Sequence, residues 1–184
     1  MQLVEIRKIL KKKSSRKDRE SALKFVPTIE KQYGAKAFVL NELVKRIKEP
    51  DFELVEKLWR SGIFEEKLLA SKILGKICKK NPEEALKLIK RFSKSISDWA
   101  VCDTLATQGI RKIVKLRQKE IFEISKKLIK SKDLWQRRFA LVLLVNFTKD
   151  KSLKKEIEEI LKKVEDDKEH YIKKAIVWLK NGLK

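Results

Sequence analysis

The chain has 184 residues, of which 42% are hydrophobic, with only 5 Gly and 3 Pro. That length buries one sizeable core and calls for no second unit, so a single domain over 1–184 is expected. The scarcity of turn formers excludes a sheet of many short strands in favour of an all-α fold. Against 26 Asp and Glu stand 47 Lys and Arg, a formal net charge of +21, which points to a polyanion. Nucleic acid comes before an anionic membrane, because neutralising phosphates releases condensed counterions. A solvated, Lys-rich surface laced with ion pairs explains many charges but not so one-sided an excess.

Taken in chain order, Met1 to Lys13 contains Glu5 and reads as an amphipathic helix rather than a signal peptide. Ser14 and Ser15 precede a second helix, Pro27 interrupts the following segment and Gly34 closes it. A helix from about Ala35 ends at Pro50, and Asp51 caps the next, with Ser61 and Gly62 as a further break. Asn81 followed by Pro82 is an N-cap with proline in the first turn. Ser97 and Asp98 cap a helix carrying Trp99, Asp133 caps one carrying Trp135, and Asp166 or Asp167 opens the last. Paired helices beginning near Asp51, Ser97, Asp133 and Asp167 recur at roughly 35 to 40 residues, the period of a HEAT-type repeat. Stacked, such units make a HEAT-like α-solenoid whose concave face presents the same helix of each pair.

Cys78 and Cys102 are far apart and His170 is the sole histidine, so no zinc or disulfide framework is expected. A reducing, cytoplasmic setting fits, with no metal and no cofactor. No apolar run reaches the roughly 18 residues of a membrane span, so no membrane partner is expected either. Phosphate-binding glycine loops, nucleophile elbows and zinc-protease helices are all missing.

Residues on three helices demand an explanation. Arg138 has Leu134, Trp135, Leu141, Val142 and Val145 around it on a helix that is apolar almost all round. A guanidinium there needs either a fixed carboxylate or a phosphate brought by a ligand. Trp99 and Asp103, four apart, share a helix face at the rim of an apolar arc. They are either a core aromatic and a lysine-paired acid, or an acid screened from water that acts on a developing cation. Trp178 and Tyr171 edge the last helix beside Lys174, as a snorkelling chain end or as an aromatic and cationic surface for nucleic acid.

Ser97 to Asp103 (S-D-W-A-V-C-D), Asp133 to Ala140 (D-L-W-Q-R-R-F-A) and Glu169 to Trp178 (E-H-Y-I-K-K-A-I-V-W) resemble the AlkD-type DNA alkylation repair enzymes, the HEAT-like alkylpurine DNA glycosylases. Leu58 to Ala70 (L-W-R-S-G-I-F-E-E-K-L-L-A) is similar to a structural turn and helix of that family. The resemblance covers roughly Asp51 to Trp178 and implies a glycosylase that hydrolyses the N-glycosidic bond of cationic N3- or N7-alkylated purines in double-stranded DNA. It implies Trp99, Asp103, Arg138 and Trp178 as catalytic. Asp103 would stabilise the oxocarbenium ion, the tryptophans would cradle sugar and backbone, and Arg138 would clamp a phosphate. Arg137, Lys173, Lys174 and Tyr171 would add grip on DNA, with the protein acting as a monomer. The alternatives are a non-catalytic nucleic-acid binder and a protein-interaction scaffold on the same repeats.

Overall fold

The computed structural model describes all residues, 1–184, and contains eleven α-helices and no β-strand. The first three, α1 (Leu3–Lys12), α2 (Arg16–Phe25) and α3 (Ala37–Arg46), are followed by helices that come two by two. These are α4 (Phe52–Arg60) and α5 (Phe64–Ile77), α6 (Pro82–Phe92) and α7 (Trp99–Thr107), α8 (Gln118–Leu128) and α9 (Leu134–Val145), and α10 (Lys154–Leu161) and α11 (His170–Gly182). The second helix of each pair packs on its counterpart, α5 on α7, α7 on α9 and α9 on α11, with α3 extending the row beside α5. Along this row α4 lies against α5 and α8 against α9.

The cap residues do what their chemistry suggests. Asp51, Asn81, Asp98 and Asp133 each accept a hydrogen bond from the backbone N–H three residues on, at 2.7 to 3.0 Å, and Ser15 does so for α2. The last helix departs from expectation. It starts at His170 with Glu169 at the N-cap position, while Asp167 lies three residues ahead of the helix, accepting from the Glu169 N–H at 3.0 Å and from Arg137 Nε at 2.8 Å.

The repeat phase also needs correction. Of the expected unit starts, Asp51 opens a first helix, whereas Ser97, Asp133 and Asp167 precede second helices. The regular series is that of the second helices, which start at Phe64, Trp99, Leu134 and His170, roughly 35 residues apart.

A contiguous cluster of 49 buried apolar residues runs from Ile6 to Leu179. α9 lies at its centre, with Trp135 and every residue from Arg138 to Leu144 buried, in keeping with its all-round apolar sequence. Close helix approach is set by Gly75 of α5, where a Cβ would sit 2.0 Å from the Gln108 carbonyl oxygen at the end of α7.

Two acids in the first turn of α5 tie down the N-terminal region. Glu65, 1% exposed, accepts from the backbone N–H groups of Tyr33, Gly34 and Ala35 at 2.9, 2.6 and 3.0 Å. Gly34 makes that turn possible with φ +89°, a region other residues avoid. Glu66 is fully buried and accepts two bonds from Arg7 of α1, at 3.0 and 3.1 Å, and one from the Tyr33 hydroxyl at 2.6 Å.

Candidate active site

Asp103, Arg138 and Lys174 occupy the same place, the fifth residue, in α7, α9 and α11. Stacking successive second helices in register therefore brings Asp103 and Arg138 face to face. The guanidinium grips the carboxylate with two parallel bonds, Nε to Oδ1 at 2.9 Å and Nη2 to Oδ2 at 2.8 Å, while Nη1 donates to the Tyr171 carbonyl oxygen at 2.6 Å. Such a fork is both strong and directional.

The side chains of Arg138 and Asp103 are 6% and 17% exposed, so the pair sits at the edge of the core with the carboxylate nearer to solvent. Burial pushes the Asp103 carboxyl above the ordinary carboxylate range, and the bonds and charge of Arg138 pull it part of the way back. Each carboxylate oxygen keeps a second lone-pair direction beyond the one used by Arg138. The neighbouring Cys102 thiol is fully buried, and that burial raises its pKa well above the usual value, which leaves it an inert core residue.

Trp99 begins α7, one turn before Asp103 and on the same side. It is half-buried, and its indole N–H donates to the Phe25 carbonyl oxygen at 3.1 Å, at the end of α2. The Phe25 ring beside this contact is 74% exposed. Below Trp99, the Asp98 cap is buried, and nearby Lys67 donates to the Ser95 carbonyl at 2.8 Å while lying 5.5 Å from the Trp59 ring centre. Burial drives the Lys67 pKa down, an effect that the charges of Asp98 and Glu30 oppose.

On α11, Tyr171, Lys174 and Trp178 stand three and four residues apart and share a face. Tyr171 is half-buried with its ring 5.0 Å from that of Trp135, Lys173 and Lys174 are exposed, and Trp178 is 39% exposed. Trp178 lies two turns beyond Tyr171, about 10 Å along the helix.

Both arginines of α9 are engaged within the protein, Arg138 in the carboxylate pairing that is one of the two explanations its apolar surroundings call for. Arg137 pairs with Asp167 at 2.8 Å and donates to the Ser131 and Lys132 carbonyls, both at 3.0 Å. Its side chain is 16% exposed, so it fastens α9 to the segment ahead of α11 and its charge is already answered. Arg138 spends three of its five N–H donors on Asp103 and Tyr171. The pairing with Asp103 was open to detection from sequence, since the two residues are one repeat period apart. The approach of Phe25 to Trp99 carries no sequence signal, because it links residues 74 positions apart.

No three of the His, Cys, Asp and Glu side chains come together to hold a metal ion, and no helix is long and apolar enough to cross a membrane. No curated protein matches the chain. A family model does, the DNA alkylation repair enzyme, over residues 6–180. That span contains Trp99, Asp103, Arg138 and Trp178 and nearly the whole row of stacked helices, and the chain belongs to the DNA alkylation repair enzyme family.

Proposed function

We propose that the protein is a HEAT-like α-solenoid that excises cationic N3- or N7-alkylated purines from duplex DNA by hydrolysing the N-glycosidic bond. The observation that carries this reading is a desolvated carboxylate, Asp103, held in a fixed orientation by Arg138 at the rim of the core, beside Trp99. Alkylation has already made the purine a cationic leaving group. The electron pair of the C1′–N bond departs with the base and neutralises it, and positive charge develops on the deoxyribose. Asp103 faces that charge with the outward lone pairs of its oxygens, in a largely buried setting where water screens it less than at the surface. Water then adds its oxygen to C1′ and releases a proton, leaving an abasic site.

In this reading Arg138 is first a positioning residue, since it orients Asp103 and favours its ionised form. Its two remaining N–H donors are what it has to offer a phosphate. Trp99 and Trp178 present ring faces that attract a cationic nucleotide over a neutral one. Tyr171 supplies a half-buried edge, and Lys173 and Lys174 hold backbone phosphates. Arg137 contributes through the fastening of α11 rather than through DNA.

The test is release of 3-methyladenine and 7-methylguanine from methylated duplex, by wild type and by Asp103→Asn. Release by wild type, and its loss by at least tenfold in Asp103→Asn with duplex binding retained, is the expected result. A second reading, a non-catalytic nucleic-acid binder, is favoured by the engagement of both Asp103 oxygens with Arg138. It predicts duplex binding with no base release by the wild type.

A further inference from the structure

After α5, α7 and α9 the chain turns back at the same edge of the helix row. These returns, around residues 79, 111–118 and 146–151, enclose a cleft of about 860 Å³. Six cations line it, Lys79, Arg111, Lys112, Lys115, Lys149 and Lys151, against one acid, Asp150. Asp150 accepts through Oδ1 from the Ser152 hydroxyl at 2.6 Å and its N–H at 3.1 Å, and its single charge answers at most one of the six.

The other major clefts carry at least one acid for every two cations. One of about 340 Å³ beside the start of α9 is lined by Lys130, Arg137, Lys162 and Lys163, but also by Glu165, Asp166 and Asp167, two of which are joined as the Arg137–Asp167 pair.

Cations near helix C-termini commonly just offset the helix dipole, and Lys112 does this by donating to the Lys76 carbonyl oxygen at the end of α5, at 3.0 Å. That explanation covers one of the six. None of the protein's ion pairs involves Lys79, Arg111, Lys115, Lys149 or Lys151. Like charges brought this close repel one another, and their assembly is relieved by an anion that meets several at once. Packed helices stand about 8–10 Å apart, so successive returns place cations at roughly that interval. A nucleic-acid strand carries a phosphate for each ~3.4 Å of helix axis, so every return finds a phosphate along one continuous strand.

We propose that this edge, formed by the returns after α5, α7 and α9, is a second nucleic-acid contact. It is a phosphodiester track separate from the Asp103–Arg138 pair and lies beyond it along the axes of α7 and α9. The proposal rests on the reading of the chain as one that acts on DNA, but not on Asp103 as the reacting group.

The test compares Lys115→Ala/Lys149→Ala/Lys151→Ala with Lys130→Ala/Lys162→Ala/Lys163→Ala, which loses the same charge at the balanced cleft. Binding to an unmodified duplex is followed by fluorescence anisotropy from about 50 to 200 mM salt. Each phosphate contact contributes a slope of about 0.9 in log K against log salt, so the first triple variant flattens the slope by about 2 to 3 while the second changes it little.

An unchanged slope in the first variant, or equal flattening in both, overturns the proposal. So does wild-type binding to polyglutamate in preference to duplex, which would identify an acidic protein as the partner. Base release from methylated duplex is read in parallel. Release with an unchanged slope removes the track alone, whereas a flattened slope without release by wild type removes the glycosylase reading alone.

Discussion

Replacing Arg138 with Met keeps much of the side-chain volume and deletes the guanidinium, leaving the Asp103 carboxylate, 17% exposed, without its two bonds. Removing one partner of a buried pair costs about 3–5 kcal/mol, more than the net worth of the intact pair, because the surviving charge stays desolvated. Against a typical domain stability of about 5–15 kcal/mol, the variant folds with a large part of its margin gone. Asp103→Asn leaves the Arg138 charge, 6% exposed, with one neutral acceptor and sets an amide N–H against a guanidinium N–H, so it costs a comparable amount, about 3–5 kcal/mol. The double variant loses less than the sum of the two, with a coupling of about 0.5–3 kcal/mol.

Urea unfolding followed by far-ultraviolet circular dichroism measures all four proteins. The pH dependence supplies an independent check. Without the guanidinium nothing opposes the effect of burial on Asp103, so its folded-state pKa moves further above the unfolded value. Between those two values the native variant binds a proton that its unfolded chain does not, so its deficit relative to wild type shrinks as pH falls through that interval. Additive losses in the cycle, or a deficit that stays constant as pH falls from neutral through the carboxylate range, would refute Asp103 as the group that Arg138 serves.

In the proposed reaction, the same upward push on Asp103 sets an expected acid limb of base release above the ordinary carboxylate range. Release falls as pH drops through that limb, and Arg138→Met moves the limb higher still, which a pH–rate profile reads directly. Glu66→Gln keeps the shape of the side chain but removes the charge that Arg7 grips; it costs about 1.5–3 kcal/mol, measured as a lower urea midpoint. Gly75→Ala gains up to about 1 kcal/mol in helix propensity. That gain is outweighed because the new Cβ would lie 2.0 Å from the Gln108 carbonyl, and a net loss of about 1–3 kcal/mol in the same assay is expected. Trp99→Phe keeps a ring but loses the N–H bonded to the Phe25 carbonyl. Faster proteolysis near Phe25, with little change in global unfolding, is the expected result.

What the sequence made legible were features written within one helix. Asp51, Asn81, Asp98 and Asp133 cap their own helices through bonds that span three residues, and α9 is buried all round because its own side chains are apolar all round. What it concealed were relations between helices. The connection from α7 to α8 has no mark in the sequence because Ile110, Ile113 and Val114 are buried there too, so the hydrophobic period runs on through a stretch of turns. The partner of Arg138 went unseen because finding it requires the repeat phase, and caps mark first and second helices alike. Had the second helices been aligned at Phe64, Trp99, Leu134 and His170, Asp103 and Arg138 would have fallen in one column. Asp167 carries the residue type of a helix opener, but it lies three residues ahead of α11 and is joined to Arg137 of another helix, a relation with no local signal.

The distribution of charge follows from the same repeat geometry. A protein of net charge +21 that carried its cations on the reacting face would repel a cationic purine. Here the column shared by α7, α9 and α11 reads Asp103, Arg138, Lys174, and its first two members cancel in a single fork. Six further cations line the cleft where the chain turns back after α5, α7 and α9, against the single acid Asp150, while Lys174 remains exposed on the face of the column itself. In the proposed reaction that division lets attraction to phosphate, which is long-ranged and falls with salt, act away from the bond being broken. The short-range field of one carboxylate then acts on the sugar with little opposition from the protein's overall charge. Salt should therefore weaken binding steeply while leaving the rate of base release from the saturated complex nearly constant. A release rate that fell with salt as steeply as binding does would show that the cations act on the chemical step itself.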